Sequence, residues 1–571
     1  MKIAKHPSSQ FPMIALNSIL LLVFLQLLSD FVEAIYAFGL MGTNIPVEIV
    51  FVLYFFSPLI LLVAPRAISG WPLILLGELI LACRIIEALL NTRGTLIFAG
   101  LGVACFLVFL PSYFLQQRAA MPPVRSSGFS FSLSLGLSLL FSILLRTIGS
   151  GYDVSTYGLT QAIGWLLAAL AGSLLILTRH KQDDRTEREP QGEGDQPLSA
   201  GKTITFSLGL ISVFLVLYFT FVSPHVMARW TGESHVRIII VLTLVLALFG
   251  LGVSLKPGLL KKINKTGLVI WNGLFVAALT LTMIANQIRF PDNPAAYPLQ
   301  APTQSWIHLV FLYFAIILCP VVFVDVMLYV DELIGGKPTR KTLGAGISIA
   351  SVYFLFMIFA QVFTTVYDYI PVVGPFFRDK FWLVFLVAGL FLALPVLLTQ
   401  KRPIVRDHDG LRQGVRTVQV VLSVLAVATI VFALTTAARP RTPAVSPRSL
   451  KVVTYNIQQG YSEDGQEGFD QQLSLLRELD ADVIGLQESD NARIAGGNAD
   501  IVRYFADKLG MYSYYGPKTV VGTFGIALLS KHPIHHPQTH FMFSEGEQTA
   551  MIQASIHVGD KDFNIFVTHL G

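Results

Sequence analysis

Glu488 closes an apolar run that starts at Asp482. A carboxylate at the mouth of a buried strand can present hard oxygen to a hard cation. Asn456 lies near the end of a second apolar run, LKVVTYNI at 450–457. Its amide can donate to an anionic oxygen without adding charge. His569 ends a third run, 562–569, and an imidazole can donate to an oxygen on which negative charge develops. The plainer assignments are a surface glutamate at a strand end, a local turn cap and a core histidine on a strand.

The elements that must position these side chains can be read from periodicity. Residues 450–457 and 482–487 carry buried-strand patterns. Between them FDQQLSLLREL, 469–479, sets Phe469, Leu473, Leu476 and Leu479 at helical spacing. Residues 499–509 form a second helical pattern, with Ile501, Phe505 and Leu509 on one face. Strands are expected at 523–530, 549–557 and 562–569, the last two flanking the turn Gly559-Asp560-Lys561. Helices between early strands and a later hairpin predict a layered α/β domain. Asp490 can reach a metal through water, but it reads more simply as a solvated loop carboxylate. Tyr514 and Tyr515 are candidates for a substrate pocket or for core packing. The histidines of HPIHHPQTH, His532, His535, His536 and His540, have the density of a zinc site. Two prolines break the segment and no cysteine accompanies it, so a loop that titrates near neutral pH or contacts headgroups is the better reading.

Tyr455-Asn456-Ile457, Leu486-Gln487-Glu488, Gly525-Ile526-Ala527-Leu528-Leu529-Ser530 with Lys-His-Pro-Ile, and Thr568-His569-Leu570 follow in this order. In order and spacing the segment resembles the front half of the endonuclease/exonuclease/phosphatase (DNase I-like) superfamily. That resemblance implies a two-sheet α/β sandwich and dependence on Mg²⁺, with Mn²⁺ as the alternative. It implies Glu488 as metal ligand, Asn456 as the group orienting carboxylate or phosphate, and His569 on the phosphate or leaving-group side. It also makes Tyr514 and Tyr515 candidates for the phosphate pocket. The superfamily pattern continues with an Asp-x-Asn segment and an Asp-His pair that supply the base, and neither follows His569 here. The sandwich is therefore expected to be incomplete and the chain as it stands inactive, either as a fragment or as a degenerate copy.

The rest of the chain belongs to another solvent. Of its 571 residues 53% are hydrophobic and only 13% charged, against about 25% charge in soluble proteins. A wholly soluble enzyme and a disordered chain are both excluded. Thirteen apolar runs approach the ~20 residues that cross a bilayer: 12–36, 45–65, 71–90, 94–115, 129–147, 157–178, 202–223, 238–255, 267–286, 305–329, 342–365, 380–400 and 417–436. The fold expected is thus a polytopic α-helical membrane domain over 1–436, a linker at 437–449 and an incomplete α/β sandwich over 450–571. With the N-terminus cytoplasmic, inside segments hold 21 Lys and Arg. Outside connections hold seven: Arg93, Arg146, Arg229, Arg237, Arg289, Arg378 and Lys380. This positive-inside bias places the C-terminal segment outside the cytoplasm. Residues 179–200 read as a flexible cytoplasmic linker, and 287–304, with four prolines, as an irregular outer loop.

Glu33, Glu78, Arg84, Glu87 and Asp325 fall inside the apolar runs. They are costly there unless paired or facing a cavity, and Arg84 and Glu87 are spaced to pair on one helix. Gly344 and Gly346 suit close helix packing. The three cysteines, Cys83, Cys105 and Cys319, all lie in apolar runs and build no disulfide framework.

A short linker would hold the C-terminal segment near the outer leaflet, where lipid headgroups gain effective concentration. Residues 450–571 hold 8 Lys and Arg against 15 Asp and Glu, a balance unfavourable to nucleic acid. The fusion itself resembles the eukaryotic proteins that remodel the lipid of GPI anchors and their prokaryotic relatives. The expected activity is Mg²⁺-dependent hydrolysis of a lipid or glycolipid phosphodiester. An extracytoplasmic nuclease and a non-catalytic scaffold or lipid transporter are the alternatives.

Overall fold

The computed structural model describes residues 11–40, 47–64, 68–120, 127–183, 197–302, 305–366, 372–399, 409–440 and 449–569. The chain is an integral, multi-pass membrane protein. Among these residues eleven apolar helices are long enough to cross a bilayer, from Phe11–Gly39 to Val415–Thr436.

Two of the thirteen expected spans are shorter than expected. The 45–65 run is broken at Ser57-Pro58 into Val47–Phe55, a short turn Ser57–Leu59 and Ile60–Val63. Proline lacks the amide hydrogen a continuous helix needs. The 71–90 run yields Trp71–Glu87, 17 residues, which at 1.5 Å per residue reaches about 26 Å of a ~30 Å core.

One end of the bundle gathers connections to the C-terminal segment: Thr92 donates to the Asp464 carbonyl at 2.9 Å, Arg146 to that of Asn498 at 3.0 Å and Arg229 to that of Pro517 at 2.9 Å. The opposite connections bind one another. Leu198 N donates to the Gly336 carbonyl at 2.6 Å, Arg118 to that of Pro338 at 3.1 Å and Lys265 to that of Leu397 at 2.6 Å. Lipid supplies no hydrophobic force between helices, so close approach of small residues matters. A Cβ on Gly346 would lie 2.8 Å from Ser207 Oγ, and one on Gly344 would lie 2.9 Å from Leu61 Cβ.

Among the described residues eight strands form two open sheets. One holds β2 (Val452–Asn456), β3 (Val483–Gln487), β4 (Tyr512–Tyr515) and β5 (Ile526–Ser530), in the order β2-β3-β5-β4. The parallel pair β2/β3 is joined through the helix Phe469–Leu479, as parallel strands require a crossover. The other sheet is antiparallel, β1-β6-β7-β8, with β6 (Ile534–Phe541), β7 (Ala550–Val558) and β8 (Lys561–His569). The sheets touch where Gly485 of β3 meets Val567 of β8, since a Cβ on Gly485 would lie 3.1 Å from that valine.

The first strand of that second sheet corrects the expectation for 287–304. This stretch is not wholly irregular: β1 (Leu299–Gln300) pairs Leu299 with Phe541 and Gln300 with His540. The membrane region thereby covers the β6 edge, which would otherwise present unpaired backbone groups. Linker residues 441–448, and 184–196 of the expected flexible loop, lie outside the described residues.

Candidate functional site

Register brings the candidate side chains together. In the parallel ladder Asn456 stands opposite Gln487, so β2 and β3 end flush and Glu488 follows at once. Glu488 adopts a left-handed φ of 48°, as do Gln458 and Gln459 at 48° and 53°. Such conformations are uncommon for residues other than glycine and cluster at functional sites. The Glu488 carbonyl accepts the Gln459 amide at 2.8 Å, which fixes the two turns against each other.

The carboxylate of Glu488 is then held from both sheets. Asn456 Nδ2 donates to Glu488 Oε1 at 2.8 Å, while Asn456 Oδ1 accepts the Gln458 amide at 3.0 Å. His569 Nε2, at the end of β8, lies 3.6 Å from the same Glu488 oxygen. The Glu488 and His569 side chains are 23% and 20% exposed, so water reaches both. The structure thus brings Glu488, Asn456 and His569 to one edge, beside Tyr36 of the first helix, whose hydroxyl accepts from Gln459 Nε2 at 3.1 Å.

Among the described residues no group of three or more His, Cys, Asp or Glu side chains gathers in the manner of a metal cage. Glu488 offers one carboxylate in a water-reachable setting. That donor set fits Mg²⁺, which keeps several waters and binds through one or two carboxylates.

The other candidates fall elsewhere. Asp490 is no solvated loop carboxylate: it is buried, with Arg493 at 3.3 Å and Arg229 at 3.5 Å. A buried carboxylate needs such partners, and Arg229 comes from the bundle. Tyr515 donates to both carboxylate oxygens of Asp500 at 2.7 and 2.9 Å, and the Arg229 guanidinium stacks 3.9 Å over its ring. Burial, reinforced by the Asp500 charge, holds the Tyr515 phenol well above its ordinary pKa. The Tyr514 hydroxyl shares a hydrogen bond with Thr539 of the second sheet at 3.0 Å. Both tyrosines line a separate cavity of about 660 Å³ between the domain and the bundle.

The histidine segment is strand β6, not a loop. Pro533 precedes the strand, and Pro537 is accommodated within it because the register shifts between His535 and Gln538, a bulge that tolerates the missing amide. His535 and His536 are exposed there, whereas His532 is buried.

Of the residues expected within the membrane, Arg84 and Glu87 pair at 2.8 Å, both buried. Arg84 also donates to Gln26 at 3.1 Å and to the Ser155 carbonyl at 2.6 Å. Asp325 is fully buried and accepts from Asn272 at 3.1 Å. Glu78 packs against Gly172. Glu33 does not face lipid. It lies at the seam with the C-terminal segment, accepting the Tyr461 hydroxyl at 2.9 Å, against Gly497.

Near Glu33 sits Glu467, whose carboxyl is pushed up to about 7, chiefly by loss of surrounding water. The folded chain then keeps a proton that the unfolded chain has already lost. That contribution to stability is fully present below the ordinary value of 4.5 and disappears as pH rises through about 7. Thermal melts of the micelle-bound chain should accordingly show a falling midpoint between pH about 5 and about 8. Glu467→Gln should flatten this trend, and an unchanged pH profile in the variant would contradict the assignment.

Arg229, Arg493 and Asp500 were not visible as site residues in the sequence. Arg229 lies beyond a membrane span in an unremarkable HVMARW segment, and its carboxylate partner is in a different part of the fold.

Known proteins share parts of this arrangement. Residues 447–571 match the family model described as "PGAP2IP, C-terminal nuclease-like domain". The segment is thus similar to exonuclease/endonuclease/phosphatase-type domains. Over 97 residues the chain is 39% identical to Protein cwh43 of Schizosaccharomyces pombe, a stretch amounting to 17% of this chain and 10% of that protein. The chain therefore overlaps only about a tenth of that curated relative. Among solved structures, a mutant of the nucleoside transporter NupG overlays 68% of this chain and 100% of its own, at TM-score 0.35 and 12% identity. A bacterial homolog of the human lysosomal transporter Spinster, inward-facing and occupied, overlays 75% of this chain and 98% of its own, at TM-score 0.25 and 15% identity. These two overlaps are too loose to establish a shared fold.

Proposed function

We propose that this chain belongs to a membrane-bound, metal-dependent hydrolase that cleaves phosphodiesters in lipid or glycolipid headgroups. The N-terminus would be cytoplasmic and the C-terminal domain at the outer leaflet. The observation that carries this reading is the convergence of Glu488, Asn456 and His569 at a water-reachable edge where the two sheets meet.

In this mechanism Glu488 would hold the divalent ion, Mg²⁺ or Mn²⁺, which when bound would neutralise charge on the phosphate. Asn456 fixes the carboxylate through its 2.8 Å hydrogen bond, so that a ligand oxygen is positioned before substrate arrives. The His569 imidazole donates to an oxygen on the phosphate or leaving-group side.

A lipid substrate is supported by how the domain sits. Ala438 N donates to Asp507 at 2.7 Å and Arg146 to the Asn498 carbonyl at 3.0 Å, which seats the domain on the end of the bundle. Headgroups there have a large effective-concentration advantage over diffusing substrates. The resemblance to GPI-anchor remodelling proteins supports a glycolipid. The acidic balance of 450–571 speaks against general nucleic-acid binding.

A purified full-length protein carrying this chain, supplied with Mg²⁺, should release the headgroup of a phosphatidylinositol and leave duplex DNA intact. Cleavage of DNA alone would overturn the lipid reading. Cleavage of neither would make the domain a non-catalytic docking module.

A further inference from the structure

The cavity of about 660 Å³ at the seam has walls from both parts of the molecule. The bundle contributes Arg229, Asn286 and His308; the C-terminal domain contributes Arg503, Tyr515 and Lys518. This volume falls in the range of small-molecule sites and is far larger than a bare phosphate needs.

Its charges are unbalanced. The lining cations are Arg229, Arg237, Arg503 and Lys518, against Glu233 and Asp500. Arg237 uses Glu233 at 2.7 Å, and Asp500 accepts the Tyr515 hydroxyl. Arg503 reaches Asp507 at 3.4 Å, and Arg229 shares Asp490 with Arg493. Lys518 pairs with no carboxylate among the described residues; its Nζ donates to Asn286 Oδ1 at 2.6 Å. Burial and the neighbouring Arg229 push this amine down to about 8, the behaviour of a cation that lacks a counter-charge.

Several buried nitrogens here also go without a partner: Arg503 Nε, Gln287 Nε2 and His308 Nδ1. An unmet buried polar group is costly, so a wall carrying the Arg503 and Gln287 donors suits something that supplies oxygen acceptors. Next to His308, Trp306 and Ile307 are 73% and 52% exposed. A tryptophan at a helix end is the side chain that settles at the headgroup level of a bilayer.

We propose that this cavity binds a phosphoryl group through Lys518, Arg503 and Arg229, carried on a lipid headgroup that enters beside Trp306. This rests on the lipid side of the proposed function and is independent of hydrolysis. The acceptor-only, multiply charged oxygens of a phosphoryl group satisfy the cations and the unpaired donors together. The polar remainder of a headgroup accounts for the rest of the volume.

The test is calorimetric titration of the full chain in phosphatidylcholine nanodiscs, with a chelator present so that turnover plays no part. One arm uses short-chain phosphatidylinositol and the other inorganic phosphate. The short-chain lipid should bind, Lys518→Gln should weaken it by about tenfold or more, and Lys518→Arg should restore most of the affinity. Inorganic phosphate binding as tightly as the lipid would overturn the lipid carrier. Unaltered affinity in both Lys518→Gln and Arg503→Gln, or no binding of either probe, would overturn the site. A chain that binds the lipid normally but never cleaves it leaves this site standing and removes only the hydrolytic reading.

Discussion

Glu488→Gln in a full-length protein carrying this chain is expected to lower Mg²⁺-dependent phosphodiester cleavage by at least about a hundredfold. Loss of a residue that merely supports a metal ligand already costs about 10–100-fold, so loss of the ligand charge itself should cost no less. The amide keeps the shape of the carboxylate and can still accept from Asn456, as Glu488 does at 2.8 Å. The melting midpoint should therefore barely move. Mn²⁺ affinity, followed by electron paramagnetic resonance, should fall in parallel with activity. An active variant, or one that retains wild-type Mn²⁺ affinity, would remove Glu488 from the proposed chemistry. Asn456→Ala should show a smaller loss, because it frees the carboxylate to turn without removing it.

The second large effect is structural. Asp490 is buried between Arg493 at 3.3 Å and Arg229 at 3.5 Å. These separations exceed the ~2.8 Å of a tight charge-assisted hydrogen bond, so the attraction is mainly Coulombic. Asp490→Ala strands two guanidiniums in a water-poor seam, and breaking a buried pair from one side costs about 3–5 kcal/mol. With these longer distances a loss near about 3 kcal/mol is expected, read as earlier unfolding of the C-terminal domain in a denaturant series and faster proteolysis there. Because Arg229 also stacks on Tyr515 and donates to the Pro517 carbonyl, the damage should spread to the seam cavity. A loss below about 1 kcal/mol would show that the arginines find water instead.

These two residues illustrate what the sequence could and could not say. Glu488, Asn456 and His569 were legible because each ends an apolar run, and strand ends that pair in register must come out on one edge. The bundle was legible because hydropathy reports burial in lipid directly. The two short segments were read as too long because apolar character says nothing of the break at Ser57-Pro58 or of where a helix stops. Asp490 was misread: being polar and near a strand end resembles exposure until the arginine from a distant span is placed against it. Strand β6 was hidden by prolines and histidines, which do not look like sheet formers, and its bulge is a property of the pairing. The two-residue β1 had no local pattern at all. Its pairing partner determines it.

That last strand has a consequence for how the protein is made. The second sheet is finished by backbone from Leu299 and Gln300, hydrogen-bonded to a strand that emerges much later in synthesis. The C-terminal module consequently cannot complete this sheet independently of the bilayer-embedded chain. Leu299 and Gln300 must already lie on the same side of the bilayer as β6 before that strand can find its neighbour. An excised C-terminal module would carry a bare β6 edge open to self-association, whereas in the intact chain biogenesis itself supplies the template.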